Sequence, residues 1–198
     1  MRRTFRTLND CEMQHNAEVE LFTKPSNFNF LSQVVCFYHQ LAKTARILHL
    51  RNYGMKTGRI ITQDENIRDI LNTAKTIAIL VLSPKPERDS NRVAGYLKDH
   101  GYRIIPVRPA QKEILGEKAY RFLDDIKEPV DIVNVFRNPA QIIPHAHEAI
   151  RLKPKVFWMQ LNIENLEAAD LLTAAGIDVV MDRCIKVEHE RFCNENGI

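Results

Sequence analysis

Glycine is scarce in this chain, seven among 198 residues, and nowhere do three of them take the G-x-G-x-x-G spacing. That absence excludes the loop in which a dinucleotide pyrophosphate lies directly on glycine backbone. Long apolar runs are missing too. The longest, Ile77 to Leu82, has strand length and falls well short of the roughly 18 residues that cross a bilayer, so no membrane partner is expected. The four cysteines, Cys11, Cys36, Cys184 and Cys193, contain no C-x-x-C pair. They suit neither a disulfide framework nor a common zinc site, and reduced thiols in a cytoplasmic protein are expected. Cys184, His189 and Cys193 invite a metal reading, but their spacing matches no usual ligand set and a fourth ligand is not evident.

Excess charge of one sign is likewise absent. The formal charge is +3, and residues 1–54 carry all of it, with 7 basic and 4 acidic side chains; residues 55–198 balance 21 against 21. A balanced body lacks the clustered cations that phosphate neutralisation on a nucleic acid requires, so nucleic acid is not an expected partner. Any anion must be held locally.

Residues 1–54 show no clean period and are expected to be an N-terminal extension, disordered or not native. Arg2, Arg3 and Arg6 suggest a targeting presequence, yet Asp10 and Glu12 follow closely, and such presequences avoid acids. The domain is expected over residues 55–198, with Met55 as the physiological start. The competing reading is an accessory helix around Leu31 to Leu50.

From there the pattern alternates. Thr62-Gln-Asp-Glu65 has the spacing of a capping box ahead of Ile67, Ile70 and Leu71. Five short apolar runs follow: Thr76 to Leu82, Arg103 to Val107, Asp131 to Phe136, Lys155 to Gln160 and Ile177 to Met181. Helical spacing returns between most of them and after the last, punctuated by Gly101, Asn138-Pro139 and Gly176. Strands alternating with helices predict an α/β Rossmann-like domain, a parallel five-stranded sheet with helices on both faces. Its ligand belongs beyond the carboxyl ends of the strands, at the loop after the first strand.

That loop is Ser83-Pro-Lys-Pro-Glu-Arg-Asp-Ser90. Lys85, Arg88 and the hydroxyls of Ser83 and Ser90, ahead of a helix N-terminus, suit a phosphate. The second strand ends in Arg108, where an NAD-binding chain usually has Asp or Glu. A guanidinium there favours an extra phosphate, so NADP and coenzyme A both remain open.

Several blocks resemble a known family: Ile77 to Pro109 with the loop above, Ile114-Leu-Gly-Glu-Lys-Ala-Tyr120, Trp158-Met-Gln-Leu161 and Asp182-Arg-Cys-Ile-Lys-Val-Glu-His189. In this order they are similar to the small stand-alone coenzyme A-binding proteins, relatives of the nucleotide-binding domain of the succinyl-CoA synthetase alpha subunit. The resemblance covers roughly residues 61–192. It implies binding of coenzyme A or an acyl-coenzyme A by a Rossmann-like domain. By the same resemblance Ser83 and Pro84 lie beneath the ligand, Arg88 and Ser90 near its phosphates, Arg108 near the 3′-phosphate, and Phe136-Arg137 beside the nucleotide. The family commonly has glycine where this chain has Val81 and Asn162.

The synthetase reaction needs a phosphorylated histidine from a second domain and an ATP-grasp partner, so no enzymatic activity of that kind is expected, and no catalytic residue or metal ligand is assigned. A non-catalytic sensor, carrier or accessory subunit is the expected role, alone or as a homodimer; an NADP-type oxidoreductase or redox sensor is the alternative. His145 and His147 are expected at a solvated helix start, and His189 on a polar surface. Cys184, flanked by Arg183 and Lys186, is a candidate for disulfide exchange with the coenzyme A thiol, set against a structural role under the last helix.

Overall fold

The computed structural model describes residues 57–195. The extension, Met55 and the Leu31 to Leu50 segment lie outside the described residues, as do Cys11 and Cys36. Five parallel strands form one sheet: β1 (Thr76–Leu80), β2 (Arg103–Val107), β5 (Ile132–Val135), β6 (Val156–Met159) and β7 (Asp178–Val180), in the order β2-β1-β5-β6-β7. The short β3 (Glu113–Ile114) and β4 (Glu117–Lys118) make a separate antiparallel hairpin. Five α-helices accompany them among the described residues: α1 (Asp64–Thr73), α2 (Asp89–Asp99), α3 (Ile142–Leu152), α4 (Leu166–Ala174) and α5 (Ile185–Glu195). Among the described residues no helix is long and apolar enough to cross a membrane.

Strand alternation distributes the core between two faces. Ile77, Ile79, Ile104, Ile132, Trp158 and Val180 pack under α1, α2 and α5, while Ala78, Leu80, Ile105, Val133, Phe157 and Val179 pack under α3 and α4. A strand covered on both sides tends to be apolar on both faces, which is why Ile77 to Leu82 shows no polar alternation. Pro106 lacks a ladder donor and is tolerated because β2 is an edge strand. The outer side of that edge is covered by Tyr120, whose N–H donates to the Pro106 carbonyl at 2.8 Å. The opposite edge, β7, is covered by residues 59–61: Ile61 N–H donates to Val179 O, and Val179 N–H to Arg59 O, both at 2.8 Å. There Gly58 runs so close to Ile177 that a Cβ would stand 2.0 Å from its carbonyl oxygen.

Helix punctuation follows the local sequence at three points. Gly101 and Gly176 take φ of +86° and +85° and end α2 and α4. The Asn138 side chain accepts from Ala140 N–H at 3.0 Å, opening a 3₁₀ turn at Pro139–Gln141 that leads into α3. The expected box at Thr62 to Glu65 does not form: α1 starts at Asp64, and its preceding residue, Gln63, makes no side-chain cap. Arg183 instead holds this end, donating to Asp64 Oδ1 and to Thr62 O, both at 2.9 Å, and Arg191 joins it on Asp64 Oδ2 at 2.7 Å. Those partners lie more than a hundred residues away in the chain, beyond the reach of a local motif.

At the amino edge of the sheet Asp131 ties three strands together. Its Oδ2 accepts from Lys75 N–H at 2.8 Å and Thr76 N–H at 3.0 Å, and its Oδ1 meets Lys155 Nζ at 2.8 Å. Burial alone would raise the Asp131 pKa, but the Lys155 ammonium and the Lys75 and Thr76 donors outweigh it and bring it down to about 2. Because the folded value lies below the unfolded 3.8, this contribution is complete above about pH 4 and fades as the pH falls toward about 2. Asp131→Asn should therefore lower the urea midpoint at pH 6 and flatten its decline between pH 4 and pH 2, leaving the share carried by Asp64 and Asp124. An unchanged acid slope in equilibrium unfolding would contradict this role.

Candidate functional site

The carboxyl edge is organised by the end of β1. Val81 N–H donates to Val107 O of β2 at 2.9 Å, and Leu80 O accepts from Phe136 N–H, beyond β5, at 3.3 Å. Val81 then adopts φ of +63°, a left-handed turn costly for a β-branched residue, and the chain leaves the sheet. Asn162, beyond β6, has φ of +62°. Both positions where the resembled family commonly carries glycine thus need a left-handed residue; Asn satisfies that need at lower cost than Val.

The loop that follows is held from below. Ser83 and Ser90 are buried, and Ser83 N–H donates to Ser90 Oγ at 3.1 Å. Buried Asn91 donates from Nδ2 to Ser83 O at 2.8 Å, and Lys85 N–H donates to Ser83 Oγ at 3.3 Å. The two serine hydroxyls act here as acceptors, and each keeps its own proton to give. Pro84, Lys85 and Arg88 are exposed on the outer side of the loop, with Arg88 immediately before α2.

Two depressions open beside this loop, on opposite faces of the sheet edge. The first, about 270 Å³, is lined by Val81, Arg108, Pro109, Arg121, Phe122, Arg137, His145 and Glu148. Arg108 is anchored by its backbone N–H on Tyr120 O at 2.8 Å, and its side chain approaches Leu82 O at 3.4 Å. Arg137 has a buried Nε with no hydrogen-bond partner. Glu148, the one acid in the cleft, is committed elsewhere, accepting from Leu123 N–H at 3.0 Å and facing His145 Nδ1 at 3.2 Å. The second depression, a groove of about 550 Å³, includes Phe136, Gln160, Leu161, Asn162, Cys184 and Lys186.

Of the residues nominated from sequence, Arg108 and Arg137 meet in the first cleft, Phe136 faces the groove, and Ser83, Pro84, Lys85, Arg88 and Ser90 form the loop. Arg121, Phe122 and Glu148 were not legible as site residues, because the β3–β4 hairpin and the chain that returns from it bring the first two in from outside the strand pattern. His145 departs from the expected solvated setting: its side chain is 20% exposed and paired with Glu148. His189 also departs. It lies half-buried among Tyr96, His100 and Tyr102, with Tyr96 Oη 2.9 Å from its Nδ1, and burial followed by the charge of His100 lowers its pKa. Among the described residues no group of three or more His, Cys, Asp or Glu is placed to hold a metal ion.

A family model described as CoA binding domain matches residues 75–190. The chain belongs to the CoA binding domain family. One relative of this CoA binding domain is an uncharacterized protein, YneT, of Bacillus subtilis strain 168, 45% identical over 62% of this chain and 91% of its own length. A solved Thermus thermophilus structure is 44% identical with a TM-score of 0.63, spanning 66% of this chain and 98% of the other. A hypothetical protein from Pyrococcus horikoshii OT3 is 42% identical with a TM-score of 0.64, over 69% and 98%.

The strain at Val81 makes a measurable prediction for this CoA binding domain. Relief of a left-handed β-branched residue is worth about 1–3 kcal/mol, which offsets the roughly 1 kcal/mol of glycine entropy and a similar loss of apolar contact. Val81→Gly should leave the unfolding free energy within about 1 kcal/mol of the parent, whereas Val135→Gly in regular strand should cost about 3 kcal/mol or more. Equal losses in urea titrations of the two variants would show that Val81 carries no such strain.

Proposed function

We propose that the protein binds coenzyme A or an acyl-coenzyme A as a non-catalytic module, acting as a sensor, carrier or accessory subunit. The observation that carries this reading is the meeting of Arg108, Arg121 and Arg137 in one cleft at the point where strand order reverses. Guanidinium forks match phosphate oxygens, and none of the three has a carboxylate partner among the described residues. Coenzyme A offers three phosphates. Arg108 would take the 3′-phosphate, the loop with Arg88 and Ser90 the pyrophosphate, and Phe136-Arg137 the flank of the nucleotide. Membership of the CoA binding domain family supports the same ligand. The free thiols of Cys184 and Cys193 suit a reducing compartment such as the cytoplasm.

Calorimetry separates this ligand from NADP. Coenzyme A should bind more tightly than its dephospho form or NADPH. Arg108→Ala should weaken coenzyme A by about 10- to 100-fold, the worth of a hydrogen bond to a charged group, and weaken dephospho-coenzyme A far less. Equal affinity for all three, or preference for NADPH, would instead support the NADP-type reading.

A further inference from the structure

We propose that Cys184 is a covalent acceptor for the thiol end of coenzyme A, loaded by thiol–disulfide exchange with a coenzyme A disulfide. This rests on the coenzyme A reading of the arginine cleft and gives the other end of the ligand a place and a partner atom.

The two depressions are joined by consecutive residues. Arg137 lines the cleft and Phe136 the groove, and the loop that would take the pyrophosphate lies beside both, so the 3′-phosphate can sit in the cleft while the arm leaving the pyrophosphate enters the groove. Its walls suit such an arm. Val93, Phe136, Leu161 and Val187 are apolar, and Gln160, only 4% exposed, supplies an amide. Gln160 donates from Nε2 to Asn134 Oδ1 at 3.0 Å, and Asn134, wholly buried, keeps an Nδ2 with no hydrogen-bond partner. Asn134 on β5 lies two residues before Phe136 and pairs with Trp158 on β6, which lies two before Gln160. Strand alternation therefore sets this amide pair on the groove's side of the sheet, with a donor to spare. Asn134 itself is wholly buried, and Gln160 is the member of the pair that lines the groove, with a second Nε2 proton to give to an amide or thioester carbonyl of a ligand.

Cys184 is fixed in that groove from both sides. The residue before it is pinned: Trp158 Nε1 donates to Arg183 O at 2.6 Å, and the Arg183 guanidinium is held by Asp64 and Thr62 O. The residue itself opens α5, its carbonyl accepting from Glu188 N–H at 3.0 Å. Its thiol is free and half-buried; Lys186 lines the same groove, its ammonium 3.4 Å from Glu190 and over the Tyr96 ring. Cys193, further along α5, instead sits 3.6 Å from His189 Nδ1. In the exchange the Cys184 thiolate attacks one sulfur of the symmetrical coenzyme A disulfide. That S–S bond breaks, a new one forms to Cys184 Sγ, and the second coenzyme A leaves as a thiolate that takes up the proton Cys184 released.

Incubation of the full chain with symmetrical coenzyme A disulfide, followed by peptide mapping by mass, tests this, with neutral bis(2-hydroxyethyl) disulfide as the comparison reagent. One coenzyme A should appear on Cys184, removable by dithiothreitol and absent in Cys184→Ser. It should form on the order of tenfold or more faster than on Cys193, because binding raises the local concentration of the reagent. Arg137→Ala and Arg121→Ala should each slow labelling by coenzyme A disulfide without changing labelling by the neutral reagent. No adduct on Cys184, or labelling insensitive to both arginine variants, would overturn the proposal. Calorimetry on the unmodified chain keeps the two readings apart: if coenzyme A binds and Cys184 stays unlabelled, the covalent step alone falls; if coenzyme A does not bind, both fall.

Discussion

The end of β1 is the constraint from which the rest of the site follows. Leu80 and Val81 are the last residues tied to both neighbouring strands, through Phe136 and Val107. Beyond them the connections part: α2 returns to β2 over one face, while the chain from β2 to β5 packs Leu123 and Ile126 against the other. Right-handed crossovers in opposite directions leave a gap between the loops, and Val81 must turn left-handed to clear it. The cleft is created by backbone topology before any side chain is chosen. The cost is concentrated in one strained residue, which the rigid hydrogen-bonded edge is able to hold.

The fold was legible wherever local physics and tertiary packing agree. Uninterrupted apolar runs such as Ile77 to Leu82 state burial on both faces, and Gly101, Gly176 and Asn138-Pro139 mark helix ends by requirements that any context would impose. Legibility failed where a contact spans the chain. Thr62 and Glu65 have capping-box spacing, yet Arg183 and Arg191 settle that helix start. The β3–β4 hairpin was unread because its turn places Leu115 and Gly116 at φ of +56° and +74°, a combination that Asn-Gly would announce and Leu-Gly does not. The covering of β7 by residues 59–61 was unread for a similar reason, since a segment so short carries no period.

Within the site the same division holds. Strand-end residues could be nominated from topology alone, and Arg108, Phe136 and Arg137 do stand at the carboxyl edge. Their assignment to two separate depressions could not be read, because Phe136 and Arg137 are adjacent in sequence and differ only in which face each side chain takes. Arg121 reaches the cleft from the chain that follows the unread hairpin. His145 has a carboxylate partner three residues on, an i,i+3 spacing visible in the sequence, but only burial gives that pairing weight.

Charge is unevenly distributed over this nearly neutral body. Elsewhere in the described residues several cations are matched: Arg151 with Asp124, Arg103 with Glu128, Lys155 with Asp131, Arg183 and Arg191 with Asp64 and Glu188. In the arginine cleft the one acid, Glu148, is occupied by His145 and Leu123. The surplus is therefore local rather than global. A field of that kind decays within about 8 Å at physiological ionic strength, so it cannot draw anions from a distance as a basic protein draws nucleic acid. A surplus of that kind acts at contact range, where guanidinium forks match phosphate oxygens in pairs.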